Sequence, residues 1–287
     1  MLQKVSYFSG VEVVTYCLMP NHFHLLVRVN AGAGVSDSEL VDRYRKLYPK
    51  PSPYQPLSAE RLAEILKKGG GEAERIRKTL KARMNNISEF MKTLKQRFTA
   101  WYNSNHTRFG PLWSDRFKSV LVEGSRYAVE TVAAYIDLNP VRAGMVNDPK
   151  DYRYSGYGRA SHGEQFERSG IGALSRTDST SLAGYRRILL GETVADSGLG
   201  EADQSVDQGG GGGGRVDFQR PSSRSLLSSI VHFTNGKIFG SRKFVERIFD
   251  EVIIFREVVT RRRSPVMISS LDGLYSGTSV RRSKSCK

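Results

Sequence analysis

Cysteine, acidic charge and long apolar runs are all scarce in this chain, and each scarcity closes off a class of protein. The two cysteines, Cys17 in a β-rich run and Cys286 in the tail, make neither a disulfide framework nor a zinc cluster, so a reduced, cytoplasmic compartment is expected. No apolar run reaches the ~20 residues that a spanning helix needs, and Gln3, Lys4 and Ser6 interrupt the apolar core that a signal peptide requires. A membrane partner is therefore not expected. Lys67-Lys68 precede Gly69-Gly70-Gly71 in an order that does not make a phosphate loop, and no small-molecule cofactor is expected either. Asp and Glu number 29 against 44 Lys and Arg, a net charge of +15 with a pI near 9.9. Such an imbalance favours a polyanionic partner, nucleic acid above all.

What is present suffices for one sizeable core with extensions: 287 residues, 39% hydrophobic and 10% aromatic. Val11 to Leu18 is β-rich, Pro20-Asn21 turns the chain, and His22 to Val29 reads as a second strand. Strand side chains alternate with a period of two, so His22 and His24 point to one face of this hairpin and can share an ion. Taken alone, the pair reads more readily as two half-buried histidines bonded to their neighbours.

In chain order, Met1 to Phe8 has the look of a helix end closed by Gly10. After Val29, Asn30-Ala31-Gly32-Ala33-Gly34 leads into a capping box, Ser36-x-x-Glu39, and a helix carrying Leu40, Val41 and Leu47. Pro49, Pro51, Pro53 and Pro56 form a spacer, and helical pieces follow at 58–67 and 72–83. Residues 31–85 therefore read as a helical insertion, looped out of the domain that it interrupts. Ile87, Phe90, Met91, Leu94, Phe98 and Trp101 then recur at three- and four-residue steps, which predicts a long helix with this stripe in the core. Lys92, Lys95 and Arg97 lie off the stripe and Arg108 follows it, a solvated face or a set of DNA backbone contacts. Trp113 is expected to pack, and Phe117 to Val122 to form a further strand.

A second amphipathic helix is expected from the N-cap Ser125 to Asn139, stopped by Pro140. Tyr135 and Asn139 are i and i+4 on it, hence neighbours. Either they are a core tyrosine and a helix-closing asparagine, or a hydroxyl nucleophile beside an oxygen ligand. A phenol with a pKa near 10 attacks poorly unless a metal polarises its target or a base assists.

Four segments in order, Thr15 to Leu26, Arg116-Phe117-Lys118-Ser119, Tyr135 to Gly144 and Tyr152 to Tyr157, resemble the REP-associated tyrosine transposases, a branch of the HUH single-strand transposases. The likeness covers roughly residues 9–30 and 86–160. It implies an α+β, ferredoxin-like antiparallel sheet with packed helices, here lacking its first strand, and a C-terminal extension. It implies Mg²⁺ or Mn²⁺ on His22, His24 and Asn139, Tyr135 as the nucleophile, and single-stranded or hairpin DNA as partner. Lys92, Lys95, Arg97, Arg108, Arg116 and Lys118 would contact the nucleic acid. Cleavage would leave a 5′-phosphotyrosine and a free 3′-hydroxyl that a second strand can rejoin.

The expected organisation is a catalytic domain over 1–160, a low-complexity linker over 161–221, a basic accessory element over 222–260 and a basic disordered tail over 261–287. From 215 onward there are 15 Lys and Arg against 6 Asp and Glu. Two other functions compete: a catalytically inactive, truncated remnant that still binds DNA hairpins, and a hydrolase of small phosphate esters, which the want of a carboxylate cluster beside the histidines disfavours.

Overall fold

The protein is an α+β protein in the computed structural model, which describes residues 1–30, 34–52, 55–174, 181–190, 238–248, 263–271 and 274–281. Helix α1 (Leu2–Ser9) ends at Gly10, whose φ of 67° places it in the left-handed region. A Cβ at Gly10 would also stand 2.6 Å from the Arg43 guanidinium and 2.7 Å from Asn85 Oδ1. Strands β1 (Val11–Leu18) and β2 (Phe23–Val29) follow as the expected hairpin, antiparallel from Val11 opposite Val29 to Leu18 opposite Phe23. His22 lies in the turn, one residue before β2.

A bulge between Val13 and Thr15 decides what the hairpin can bind on its two faces. Val11, Val13 and Tyr16, with Phe23, Leu25 and Val27, join one hydrophobic cluster, while Val14, Cys17 and Leu26 join another. Because the extra residue breaks the alternation, Val14 and Thr15 both turn toward the second cluster. The hairpin is thus buried on both sides.

On the first side lie α1, α2 (Asp37–Leu47), α3 (Ala59–Lys68), α4 (Gly70–Lys81) and the start of α5 (Ile87–Asn105). Ser36, Ser58 and Asn86 cap α2, α3 and α5 by accepting from backbone N–H groups two or three residues on. The segment expected to loop out, 31–85, is instead part of the main core: Leu40, Tyr44, Leu47 and Leu62 are fully buried and α2 packs on α1. Burying a leucine side chain contributes roughly 2 kcal/mol, so Leu40, Leu47 and Leu62 tie this segment to the core.

The second side is built by α6 (Arg126–Asp137), α7 (Asn139–Arg142), α8 (Gly156–Ser161), α9 (Gln165–Gly172) and α10 (Leu182–Leu190). The expected boundary at 160 does not hold there. Ile171, Leu174, Tyr185 and Leu189 are buried in the same cluster as Tyr135, so 161–190 is core where it is described and the linker reading fails for it. The rest of that linker, the Gly209 to Gly214 run included, lies outside the described residues.

A second sheet has the order β3-β4-β6-β5, with β3 (Leu121–Val122), β4 (Ile238–Gly240), β5 (Arg263–Leu271) and β6 (Leu274–Arg281). β3 runs parallel to β4, and β4, β6 and β5 are antiparallel. The strand expected over 117–122 is thus paired only at its last two residues. The tail expected to be disordered from 261 contains the β5–β6 hairpin, backbone pairing along eight positions supplying the order that its charge argued against. Among the described residues, no helix is long and apolar enough to cross a membrane.

Candidate active site

The site forms where the hairpin turn meets the C-terminal end of α6. Ser125 caps α6, its Oγ accepting from Ala128 N, and from Glu130 to Asp137 every residue of the helix is buried. The helix stops at Asp137, two residues before the expected end. Leu138 links it to α7, which begins at Asn139 with Pro140 in its first turn, where a missing N–H costs nothing.

Three of the expected residues come together across this junction. The His22 and His24 rings meet edge to face with centroids 4.9 Å apart, and the His24 and Tyr135 rings likewise at 6.0 Å. Tyr135 is 3% exposed. Asn139 is buried beneath it, its Nδ2 donating to the carbonyls of Tyr135 (2.9 Å) and Ile136 (3.3 Å). Those two bonds turn Oδ1 the other way, and that buried oxygen has no hydrogen-bond partner. A buried acceptor left without a donor is costly unless a cation or water meets it.

Burial, then His22, then the Arg142 charge push the His24 pKa down to about 4, so its imidazole is neutral at ordinary pH and keeps a lone pair for an ion. His22 is exposed in the turn, its Nδ1 2.6 Å from Asn21 Oδ1, which orients the ring. Two imidazoles and one amide oxygen suit a divalent cation, and the orphaned Oδ1 fits that use. Among the described residues no group of three His, Cys, Asp or Glu offers an alternative centre. Cys17, paired with His24 across the hairpin, is fully buried and its thiol is pushed up to about 12, so it is inert.

Two residues of the site escaped the sequence reading. Arg142 reaches back from α7, its Nη1 donating to Tyr135 Oη at 3.3 Å and its guanidinium lying over the ring at 5.4 Å from the centroid. Its signal was position alone, three after Asn139 on the same short helix. Asp137, fully buried, accepts from Thr15 Oγ1 (2.8 Å), Tyr157 N (3.1 Å) and Tyr185 Oη (2.8 Å). Its signal was an acid in an otherwise apolar run, Ala133 to Leu138. The Tyr152 to Tyr157 segment closes over the end of β1: Tyr152 Oη donates to Leu18 O at 2.6 Å and Leu18 N to Tyr154 O at 3.0 Å.

The six basic residues are spread along α5 and the segment after it. Lys92 is exposed and paired with Glu89. Lys95 donates to Asp115 O at 2.7 Å and lies 5.2 Å from the Trp113 ring centroid, while Arg97 lies 5.6 Å from that of Tyr48. Arg108, Arg116 and Lys118 are exposed. Comparison with family models, with curated proteins and with solved structures yields no match.

Proposed function

We propose that the protein is a metal-dependent, single-strand DNA endonuclease and strand transferase of the tyrosine transposase type, acting near DNA hairpins. The observation that carries this reading is the meeting of His24 and Tyr135, 6.0 Å between ring centroids, from segments far apart in the chain. The unpartnered Asn139 Oδ1 at the same junction supports it. Mg²⁺ or Mn²⁺ held by His22, His24 and Asn139 would withdraw charge from a phosphate oxygen. Tyr135 Oη bonds to phosphorus as the bond to the 3′ oxygen breaks, and the proton given up by the phenol balances the one gained by the departing 3′-hydroxyl. Arg142 steadies the phenolic oxygen as its charge develops, since it already donates there. The 5′-phosphotyrosine conserves the phosphodiester linkage, so rejoining needs no ATP. The basic residues of α5 hold the DNA backbone without regard to sequence.

One observation favours a second reading, hairpin binding without cleavage: the Tyr135 side chain is covered, at 3% exposure. A hairpin with a single-stranded flank, incubated with the protein and Mn²⁺, separates the two. Cleavage predicts a denaturation-resistant protein–DNA adduct that Tyr135→Phe does not form while still folding and binding. Binding without any adduct by the native chain establishes the second reading, and an adduct that persists in Tyr135→Phe moves the nucleophile elsewhere.

A further inference from the structure

The apolar stripe of α5 leaves the core halfway along the helix. Only Phe90, Met91 and Thr93 of its nineteen residues are buried, and along the last three turns Phe98 and Tyr102 are half-buried while Trp101 is exposed. Those rings form a connected series. Phe23 meets Trp113 at 5.4 Å between centroids, Trp113 meets Phe98 at 5.7 Å, Phe98 meets Trp101 at 5.6 Å and Tyr102 at 6.1 Å, and Tyr102 stacks on His106 at 4.2 Å. Trp101 is 51% exposed. Phe23, Trp113, Phe98 and Tyr102 are half-buried and Trp101 and His106 exposed, a partly open aromatic face of the kind on which a partner docks.

The charges beside it say what. Between Phe90 and Ser114 the chain contains no Asp or Glu. Lys95 lies over the Trp113 ring, and Lys4 and Arg97 line, with Phe98 and Trp101, a groove of about 470 Å³. Cations interleaved with partly open rings suit a chain of phosphates carrying flat bases, because a base stacks on a ring while its phosphate meets a cation. A duplex hides its base faces, so the occupant is single-stranded.

We propose that the outer half of α5, with Trp113, is a base-stacking platform for the unpaired flank of the DNA. Phe23, at the inner end of the series, lies between His22 and His24 in sequence but on the opposite face of β2. A strand stacked on the platform therefore reaches the hairpin turn from behind and must pass around it to meet His24 and Tyr135. The inference deepens the proposed function and rests on it for the choice of DNA, but it does not need Tyr135 to react.

The chain's two tryptophans, Trp101 and Trp113, both belong to the platform, so its intrinsic fluorescence reports on stacking directly. Full-length Tyr135→Phe protein, which breaks no bond, is titrated with a 20-nucleotide oligothymidylate and with an abasic oligonucleotide of the same length and charge. The expected result is fluorescence quenching by the oligothymidylate and at least about tenfold tighter binding than to the abasic chain. Trp101→Ala should weaken oligothymidylate binding about five- to a hundredfold and leave abasic binding unchanged, because stacking on one ring is lost and no charge is. Lys92→Ala should weaken both equally. Equal affinity for the two oligonucleotides without quenching would overturn the proposal. So would a Trp101→Ala protein that keeps its oligothymidylate affinity but sediments at a lower mass than the native chain, which would make the face a contact between copies. Quenching with no adduct from the native chain would remove the cleavage reading and leave the platform standing.

Discussion

Tyr185 Oη donates to Asp137 Oδ2 at 2.8 Å, joining α10 to the last residue of the helix that carries Tyr135. Asp137 is fully buried and also receives Thr15 from β1 and Tyr157 from α8, so one carboxyl group fixes the end of α6 to three other elements. The alignment of Tyr135 with His24 therefore depends on residues well beyond both.

That carboxyl gives the fold a pH dependence. Burial pushes the Asp137 pKa from 3.8 up to about 7 in spite of its three donors. The native state holds a proton that the unfolded chain gives up, so the stabilisation is fully present below about pH 4 and is lost as pH rises through about 7, by at most ~1.4 kcal/mol per pH unit. Urea midpoints at pH 4.5, 6 and 7.5 should fall in that order for this group's contribution. Asp137→Asn, which keeps an acceptor for Thr15 and Tyr185, should flatten the trend, and an unchanged slope would refute the assignment.

Arg142 should matter to the reaction and not to the fold. Removing a positioned donor from a developing negative charge costs on the order of 100-fold in rate, so Arg142→Ala should slow adduct formation by about that factor at unchanged hairpin affinity. Single-turnover gels at saturating protein measure it. Equal loss of binding and rate would recast Arg142 as a substrate contact alone.

Ion binding can be read without any DNA. Mn²⁺ titrated by electron paramagnetic resonance should show one site in the native protein, abolished by His24→Ala and weakened at least about tenfold by Asn139→Ala. Chelation should abolish the adduct while hairpin binding survives, since phosphate contacts supply the affinity. An undiminished Mn²⁺ signal in the His22→Ala, His24→Ala double variant places the ion elsewhere.

Close packing at α8 gives a stability prediction. A Cβ at Gly158 would lie 2.0 Å from Tyr152 O and 3.0 Å from Ser155 Oγ, whereas one at Gly172 would meet nothing within 4 Å. Gly158→Ala should therefore cost about 2–4 kcal/mol, and Gly172→Ala should lie within ~1 kcal/mol of native or gain from helix propensity. Denaturant unfolding of the two variants side by side checks the contrast.

The hairpin and the helices flanking it were legible because their signals are local: two β-rich runs about the Pro20-Asn21 turn, caps at Ser36 and Ser125, a three- and four-residue stripe in α5. The stripe showed which face of α5 is apolar but not what covers it; beyond the first half it is only partly covered, Trp113 packing on Phe98 while Trp101 stays exposed. The histidine pair, Tyr135 and Asn139 were singled out by their spacing and given roles only by the resemblance. Arg142 and Asp137 were not, since their roles consist of contacts with Tyr135, Thr15, Tyr157 and Tyr185 that no spacing announces. The helices at 165–172 and 182–190 were lost for a related reason: glycines and serines weaken their local signal, and tertiary burial of Ile171, Tyr185 and Leu189 makes up the difference.

The parallel pairing of β3 with β4 has a consequence in time. Glu123, two residues before the cap of α6, donates its N–H to Phe239 O at 2.8 Å and accepts from Ser241 N and Oγ at 2.6 and 2.9 Å, 118 residues away. On a ribosome adding about 5–20 residues per second, those partners emerge roughly 6–24 s after the start of α6 does. Through that interval the helix bearing Tyr135 can rest on the hairpin but has no strand at its entrance, so nascent chains arrested before residue 238 should hold it loosely, and release of the full-length chain should be the event that locks it.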